Sequence, residues 1–262
     1  MSGDPVLHCA DLTVDGGLVC RVSLCAATVL NVVDRPWLEQ ATAELAALVT
    51  RPGLRCVLLS GQTPRAFIGG ANLHALAALD HDTAEPFIRA VHHLCATLRD
   101  APVPIIAVMR GHCLGAGLEI ACACDLRIGD DSVRCGMPEV RVGVPSVVEA
   151  ALLPGLVGWG KARELMLRGH IIDAAEAARI GLLQAVTPVD GLEELALTIA
   201  RDMVAGAPGA LAAQKRLFRR WEDSTISAAI EHGVQALVAA YDGDEPARAI
   251  AAFFARKHVP RE

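Results

Sequence analysis

Along the first half of the chain two hydrophobic periods take turns. Residues 18–24 (LVCRVSL) alternate apolar and polar side chains, the period of a half-buried strand. Residues 36–50 place Leu38, Ala41, Leu45 and Leu48 on one helical face, with Asp34 ahead of them as an N-cap. Residues 55–60 (RCVLLS) read as a short strand closed by Gly61, and a loop rich in Gly and Pro follows to Gly70. Helical spacing returns over 72–79 and 83–98. The apolar run 103–109 (VPIIAVM) has strand length without alternation, so it is expected to be covered on both faces. A turn at 111–115 leads into a short helix, 116–124, and 125–128 return as a strand. This alternation predicts an α/β fold.

Beyond about residue 190 the strand signal stops. Leu192, Leu195, Ile199 and Met203 keep helical spacing, and further helical segments follow at 209–221, 224–241 and 245–256. The chain is therefore expected to divide into an α/β core, residues 1–190, and a helical region, residues 191–262. The late helices are too apolar for a free surface, which points to packing on the core or on another subunit.

Composition narrows the class. Of 262 residues, 53% are hydrophobic and 21% charged, enough apolar surface for a large core and the opposite of a disordered chain. A net charge of −6 gives no general attraction to nucleic acid. The apolar runs stop short of the ~18–20 residues of a membrane span. The N-terminus has no basic-then-apolar leader pattern, so a cytoplasmic protein is expected. Nine cysteines are an odd number for a disulfide framework. Cys122 and Cys124 lack the C-x-x-C spacing, and they read as small buried apolar residues rather than metal ligands.

Several familiar motifs nearly match and fail on one position each. Residues 155–162 (GLVGWGKA) approach a phosphate-binding loop, but Ala162 stands where the Mg²⁺-binding hydroxyl belongs; a helix–turn–helix connection accounts for the string better. Gly115-Ala-Gly117 begins a dinucleotide fingerprint whose third small residue is replaced by Ile120. No G-x-S-x-G elbow is present, and His92-His93 lacks the spacing of a zinc helix, so no metal is expected.

What remains is two Gly-rich loops, each opening a helix, and two acids. The loops are 65–73 (RAFIGGANL) and 111–119 (GHCLGAGLE). Small residues let a ligand approach the main chain, and the free N–H groups at a helix start carry partial positive charge. Two such loops can aim two N–H groups at one carbonyl oxygen, forming an oxyanion hole. Glu119 interrupts an apolar helix, and Glu139 follows Met137-Pro138. A carboxyl in such company loses solvation, which raises its pKa toward the range useful for proton transfer.

At these residues the chain resembles the crotonase, or enoyl-CoA hydratase/isomerase, superfamily. The likeness covers 66–73, 111–125, Met137-Pro138-Glu139 with Gly143 and Pro145, 158–169, 174–182, and the basic end at 253–257. It implies a spiral of ββα units, a C-terminal helical trimerisation region, and trimers or hexamers. It also implies acyl-CoA thioester substrates with no separate cofactor, coenzyme A being part of the substrate. Carried over position by position, the N–H groups of Ala71 and Ala116 hold the thioester oxygen. Glu119 and Glu139 hold the water that adds to an enoyl-CoA. Arg65, Ala66, Ile68, Gly70, Asn72, Leu73, Gly115, Pro138 and Lys257 line the substrate, with Arg65 or Lys257 meeting phosphate.

Three departures qualify the match. Asn72 replaces an Asp common in the first loop, a change expected to alter a loop contact rather than the chemistry. Ala116 replaces a frequent Gly. Residues 145–149 (PSVVE) stand where many hydratases have Pro-Gly-Ala-Gly-Gly, so the acyl pocket or water placement is expected to differ. Val147 argues against a dienoyl-CoA isomerase, which has Asp there, and Glu149 reads as a helix-start charge. The resulting expectation is 2-enoyl-CoA hydration, with isomerisation or another thioester lyase reaction through Glu139 as the alternative. A non-catalytic acyl-CoA binder is the reading from another class.

Overall fold

The computed structural model describes residues 5–257. A hairpin opens the chain, β1 (Leu7–Val14) and β2 (Gly17–Leu24). Helix α1 (Arg35–Val49) begins where Asp34 caps it, its carboxyl accepting from the N–H of Trp37. Next come β3 (Leu54–Gly61), β4 (Ala66–Ile68), α2 (Leu73–Ala77) and α3 (His81–Asp100). They are followed by β5 (Ile105–Met109), β6 (His112–Leu114), α4 (Ala116–Ala123), β7 (Leu126–Asp130) and β8 (Arg134–Gly136). Two 3-10 turns, Glu139–Val142 and Val148–Leu152, lead to α5 (Leu153–Arg168), β9 (Ile171–Asp173), α6 (Ala174–Arg179) and β10 (Ala185–Thr187). Four helices complete the described chain: α7 (Leu192–Ala205), α8 (Pro208–Glu222), α9 (Ile226–Ala240) and α10 (Glu245–Lys257).

Three times a strand of one sheet is followed at once by a strand of another: β3 then β4, β5 then β6, β7 then β8. The first members join a six-stranded sheet, β1-β2-β3-β5-β7-β10; the second members form a four-stranded one, β4-β6-β8-β9. This is the expected spiral of ββα units. β4 and β6 fall in stretches that read as loop and turn from sequence. At three residues each they are too short to display a period of two, and their Gly neighbours hide them further. The phosphate-loop-like string at 155–162 is a bend inside α5, broken at Gly158.

Both faces of the large sheet are buried, and side chains alternate between them. Val57 and Leu59 of β3, with Ile105, Ala107 and Met109 of β5, pack toward α1, α3 and α4. Cys56, Leu58 and Ile106 pack on the opposite face beneath Leu192, Ala196, Ala200 and Val204 of α7. The first helix beyond residue 190 is thus a layer of the core sheet's packing. Helix α8 is joined to the same body by charge: buried Lys215 reaches the Asp125 carboxyl at 2.5 Å and Arg219 reaches Asp100 at 2.9 Å.

Helix α4 is the element that the two sheets squeeze. A Cβ on Gly117 would stand 2.2 Å from the carbonyl oxygen of Ile68, so α4 meets β4 backbone to backbone. At its other end the buried Arg127 guanidinium donates to the carbonyls of Ala121, Cys122 and Cys124 at 3.3, 3.4 and 2.9 Å. These carbonyls are left open where the helix stops, and a cation suits that end of its dipole. Replacing Gly117 with Ala forces rigid backbone apart. We expect a loss of at least about 2 kcal/mol of unfolding free energy in urea titrations; an unchanged midpoint and slope would contradict the close approach.

Candidate active site

Helix α4 begins at Gly115, whose φ of +52° favours glycine and whose missing side chain offers no cap. The carbonyl of Gly115 accepts from Leu118 and Glu119 at 2.8 and 3.0 Å. The two N–H groups ahead of them, Ala116 and Gly117, have no acceptor within the helix. Across from them is the first loop. Val33 donates to Gly70 at 3.0 Å and accepts from Asn72 at 2.7 Å. The N–H of Ala71, between those two bonds, points to the other side of the strand. A Cβ on Gly70 would lie 3.2 Å from the Leu114 carbonyl, so the loops touch.

Beneath the first loop Asn31 does the holding. Its side-chain amide donates to the Phe67 carbonyl at 2.6 Å and accepts from the Ala26 N–H at 2.7 Å, and the residue is 1% exposed. Sequence reasoning passed over it. Its one available signal was residue type, since Asn tolerates the left-handed φ of +53° found here.

Glu139 reaches this place from the first 3-10 turn. Its Oε1 is 2.6 Å from where a Cβ on Gly115 would stand, so an alanine there would displace the carboxyl. Its Oε2 accepts from the Ser146 hydroxyl at 2.9 Å. Burial pushes the carboxyl up, while its own N–H and the Ser146 hydroxyl hold it down. Glu119, on the first turn of α4, is 4% exposed and accepts from the Ala150 N–H at 3.1 Å. Burial drives its pKa up to about 8; the Ala150 bond opposes this, and the charges of Glu139 and Glu149 add to it. The two glutamates read from sequence therefore converge on the start of α4, beside both loops. Ser146 and the Ala150 N–H, which hold them, were not singled out.

The remaining residues fall into three groups. Gly115, Gly70 and Pro138 are at the convergence, although Pro138 presents a carbonyl already bonded to Arg141 at 2.9 Å. Ala66 and Ile68 have fully buried side chains in β4, so a ligand could meet only their main chain. Asn72 caps α2, accepting from His74 and Ala75 at 2.9 and 3.4 Å, a loop contact as its replacement of Asp suggests. Leu73 is 60% exposed, and Arg65 is exposed without an ion pair among the described residues. Lys257 ends α10, and its side chain lies outside the described residues. Glu149 stands in the first turn of the second 3-10 segment, the helix-start charge read from sequence, but it is turned inward. It is 3% exposed and bonded to His92, because the turn faces the α3 side of the protein rather than water.

With the geometry in view, the likeness to known proteins falls into place. The enoyl-CoA hydratase/isomerase family model matches residues 16–260, and the chain belongs to that family. It is 28% identical to the short-chain-enoyl-CoA hydratase of Clostridium acetobutylicum over 244 residues, 93% of this chain and 94% of that one. Cyclohexa-1,5-dienecarbonyl-CoA hydratase of Thauera aromatica is 36% identical over 174 residues, 66% of this chain and 64% of that one. The crystal structure of an enoyl-CoA hydratase from Bacillus anthracis superimposes with a TM-score of 0.86 at 27% identity, covering 98% of each chain. The protein is thus an enzyme of the enoyl-CoA hydratase/isomerase type.

A buried acid with a raised pKa carries a thermodynamic signature. Between pH 4.5 and about 8 the unfolded chain ionises Glu119 while the folded chain retains its proton. Unfolding then releases a proton, so stability falls as pH rises through that window; below it the cost is absent. Glu119→Gln should flatten this part of the profile and be the more stable protein at pH 8, read from urea midpoints against pH. Parallel profiles for the two proteins would contradict the assigned protonation.

Proposed function

We propose that this chain adds water across the double bond of a 2-enoyl-CoA to give the 3-hydroxyacyl-CoA. The observation that carries the reading is the convergence of two desolvated carboxyls, Glu119 and Glu139, on a helix start with free N–H groups. Two such carboxyls share protons as a pair, one ionised and one protonated. Together they hold a water: its hydroxyl joins the β-carbon, a proton is delivered at the α-carbon, and the pair regains its starting proton count. Charge that builds on the thioester oxygen is met by the N–H groups of Ala71 and Ala116. Losing one such donor typically costs roughly 2.7–4 kcal/mol of transition-state stabilisation.

Main-chain groups of Ala66, Ile68 and Gly70 line the thioester's path, beside Leu73. Arg65 and Lys257 are the cations we assign to the coenzyme A phosphates, and no separate cofactor enters the reaction. Double-bond isomerisation would need Glu139 alone, and the burial of Glu119 beside it favours hydration. We place the protein in the cytoplasm, where its buried thiols stay reduced; no single helix among the described residues is long and apolar enough to cross a membrane. The test is hydration of crotonyl-CoA by the purified protein. Glu119→Gln and Glu139→Gln should each lower kcat by about 10²–10⁴-fold with binding kept. Tight acyl-CoA binding without hydration by the intact protein would overturn the proposal.

We further propose that the helical region assembles trimers, which can pair into hexamers. On α9, Ile226, Ile230, Val234 and Leu237 are 79%, 64%, 53% and 65% exposed and follow one another at helical spacing. An apolar stripe of that length marks an interaction surface. Ile230→Glu should convert the assembly to monomers in sedimentation equilibrium; a monomeric parent protein would refute the assignment.

A further inference from the structure

Between the two glutamates and α3 is another carboxyl, itself buried, that the reaction does not use. Glu149 Oε1 is 2.8 Å from His92 Nδ1 and 3.8 Å from the Arg99 guanidinium, and its Oε2 has no partner. A carboxylate can only accept, so the imidazole donates from Nδ1. The next residue, Ala150, supplies the N–H that Glu119 accepts. The preceding residue, Val148, has φ of +37°, a left-handed conformation that a β-branched residue rarely adopts. Such backbone persists only where its surroundings hold it in place. Here the turn is fastened on both sides: by Glu149 to α3 and by Ala150 to α4.

We propose that Glu149 is a positioning residue for Glu119: anchored on α3 by His92 and Arg99, it fixes the strained Val148–Ala150 turn so that the Ala150 N–H meets the Glu119 carboxyl, and it sets a second negative charge behind that carboxyl. Two effects of opposite sign follow. The N–H bond favours the ionised form of Glu119, and the neighbouring charge disfavours it. The groups around the pair are few. Glu119 feels Glu139 and Glu149 and is near the thiols of Cys95 and Cys122; Glu149 faces His92 and Arg99, and Arg99 in turn pairs with Glu222 of α8.

The kinetic side of this inference rests on the hydratase reading, so the primary measurement avoids turnover. The titration of the Glu119 carboxyl is followed by ¹³C NMR in the intact protein, its resonance assigned by its loss in Glu119→Gln. Glu149→Gln removes the charge and keeps the shape, so the midpoint should fall. His92→Ala keeps the charge and loosens the turn, so the midpoint should rise. His92→Asn restores a donor at the same place and should return the midpoint to that of the intact protein. His92 has a half-exposed side chain, so its variants remain informative if Glu149→Gln fails to fold.

In crotonyl-CoA hydration the same variants should lower kcat several-fold with little change in KM, and the limb of the pH–rate profile should move with the NMR midpoint. An unmoved Glu119 midpoint in both folded Glu149→Gln and His92→Ala would overturn the inference. Shifted midpoints in a protein that hydrates no crotonyl-CoA would support the positioning and overturn the hydratase reading alone.

Discussion

Everything at this site depends on one short distance, the approach of α4 to the strand beside it. With no side chain at Gly117 the helix seats directly on the Ile68 carbonyl, and a methyl group would arrive at 2.2 Å. That contact sets the start of α4 against the first loop, where a Cβ on Gly70 would lie 3.2 Å from the Leu114 carbonyl. It also explains why the helix carries no N-terminal cap: a capping side chain at Gly115 would occupy the space taken by Glu139. The opposite end is treated in the reverse way. Arg127 closes the open carbonyls there, so the dipole of α4 is neutralised at its C-terminus and left available at its N-terminus.

The electrostatic cost of this arrangement is visible in the acids. Glu119 and Glu149 are withdrawn from water here and Glu139 is half-buried; of the three, Glu149 alone has a cation beside it among the described residues, Arg99 at 3.8 Å. Glu119 and Glu139 are held instead by neutral donors, the Ala150 N–H and the Ser146 hydroxyl. A cation at either would pin it as a carboxylate; a neutral donor orients the group and leaves the proton exchangeable. Glu119 thus costs folding stability at neutral pH, because burial keeps on it a proton that the unfolded chain has lost.

Much of this was legible in the chain. The amphipathic helices, the Asp34 cap, the doubly covered strand at 105–109 and the change beyond residue 190 follow from periodicity. The two loops and both glutamates follow from residue type, sharpened by the family resemblance. What escaped has a common cause. β4, β6 and β8 are three residues long, and no period can be seen in three residues. Ser146, Ala150, Asn31 and His92 act through bonds to residues between 5 and 57 positions away, and nothing local marks such a partner. The burial of Glu149 escaped for the same reason: it stands at a helix start as read, and only the fold puts α3 against it.

The helical region is tied to this site more closely than its composition suggests. Lys215 of α8 binds Asp125, whose carboxyl also accepts from the Ile105 N–H at 2.7 Å, so one ion pair joins α8, the turn after α4 and the start of β5. Arg99 is shared between Glu222 of α8 and Glu149 of the strained turn. These pairs are partly or wholly buried, where charge interactions are screened less by solvent than on an open surface. Helix α9 packs on α8 and presents the apolar stripe outward. The apolar face of α9 is therefore connected through α8 to Glu149, and through one peptide to Glu119. The seating of the α8–α9 pair and the placement of the Glu119 carboxyl draw on the same few ion pairs.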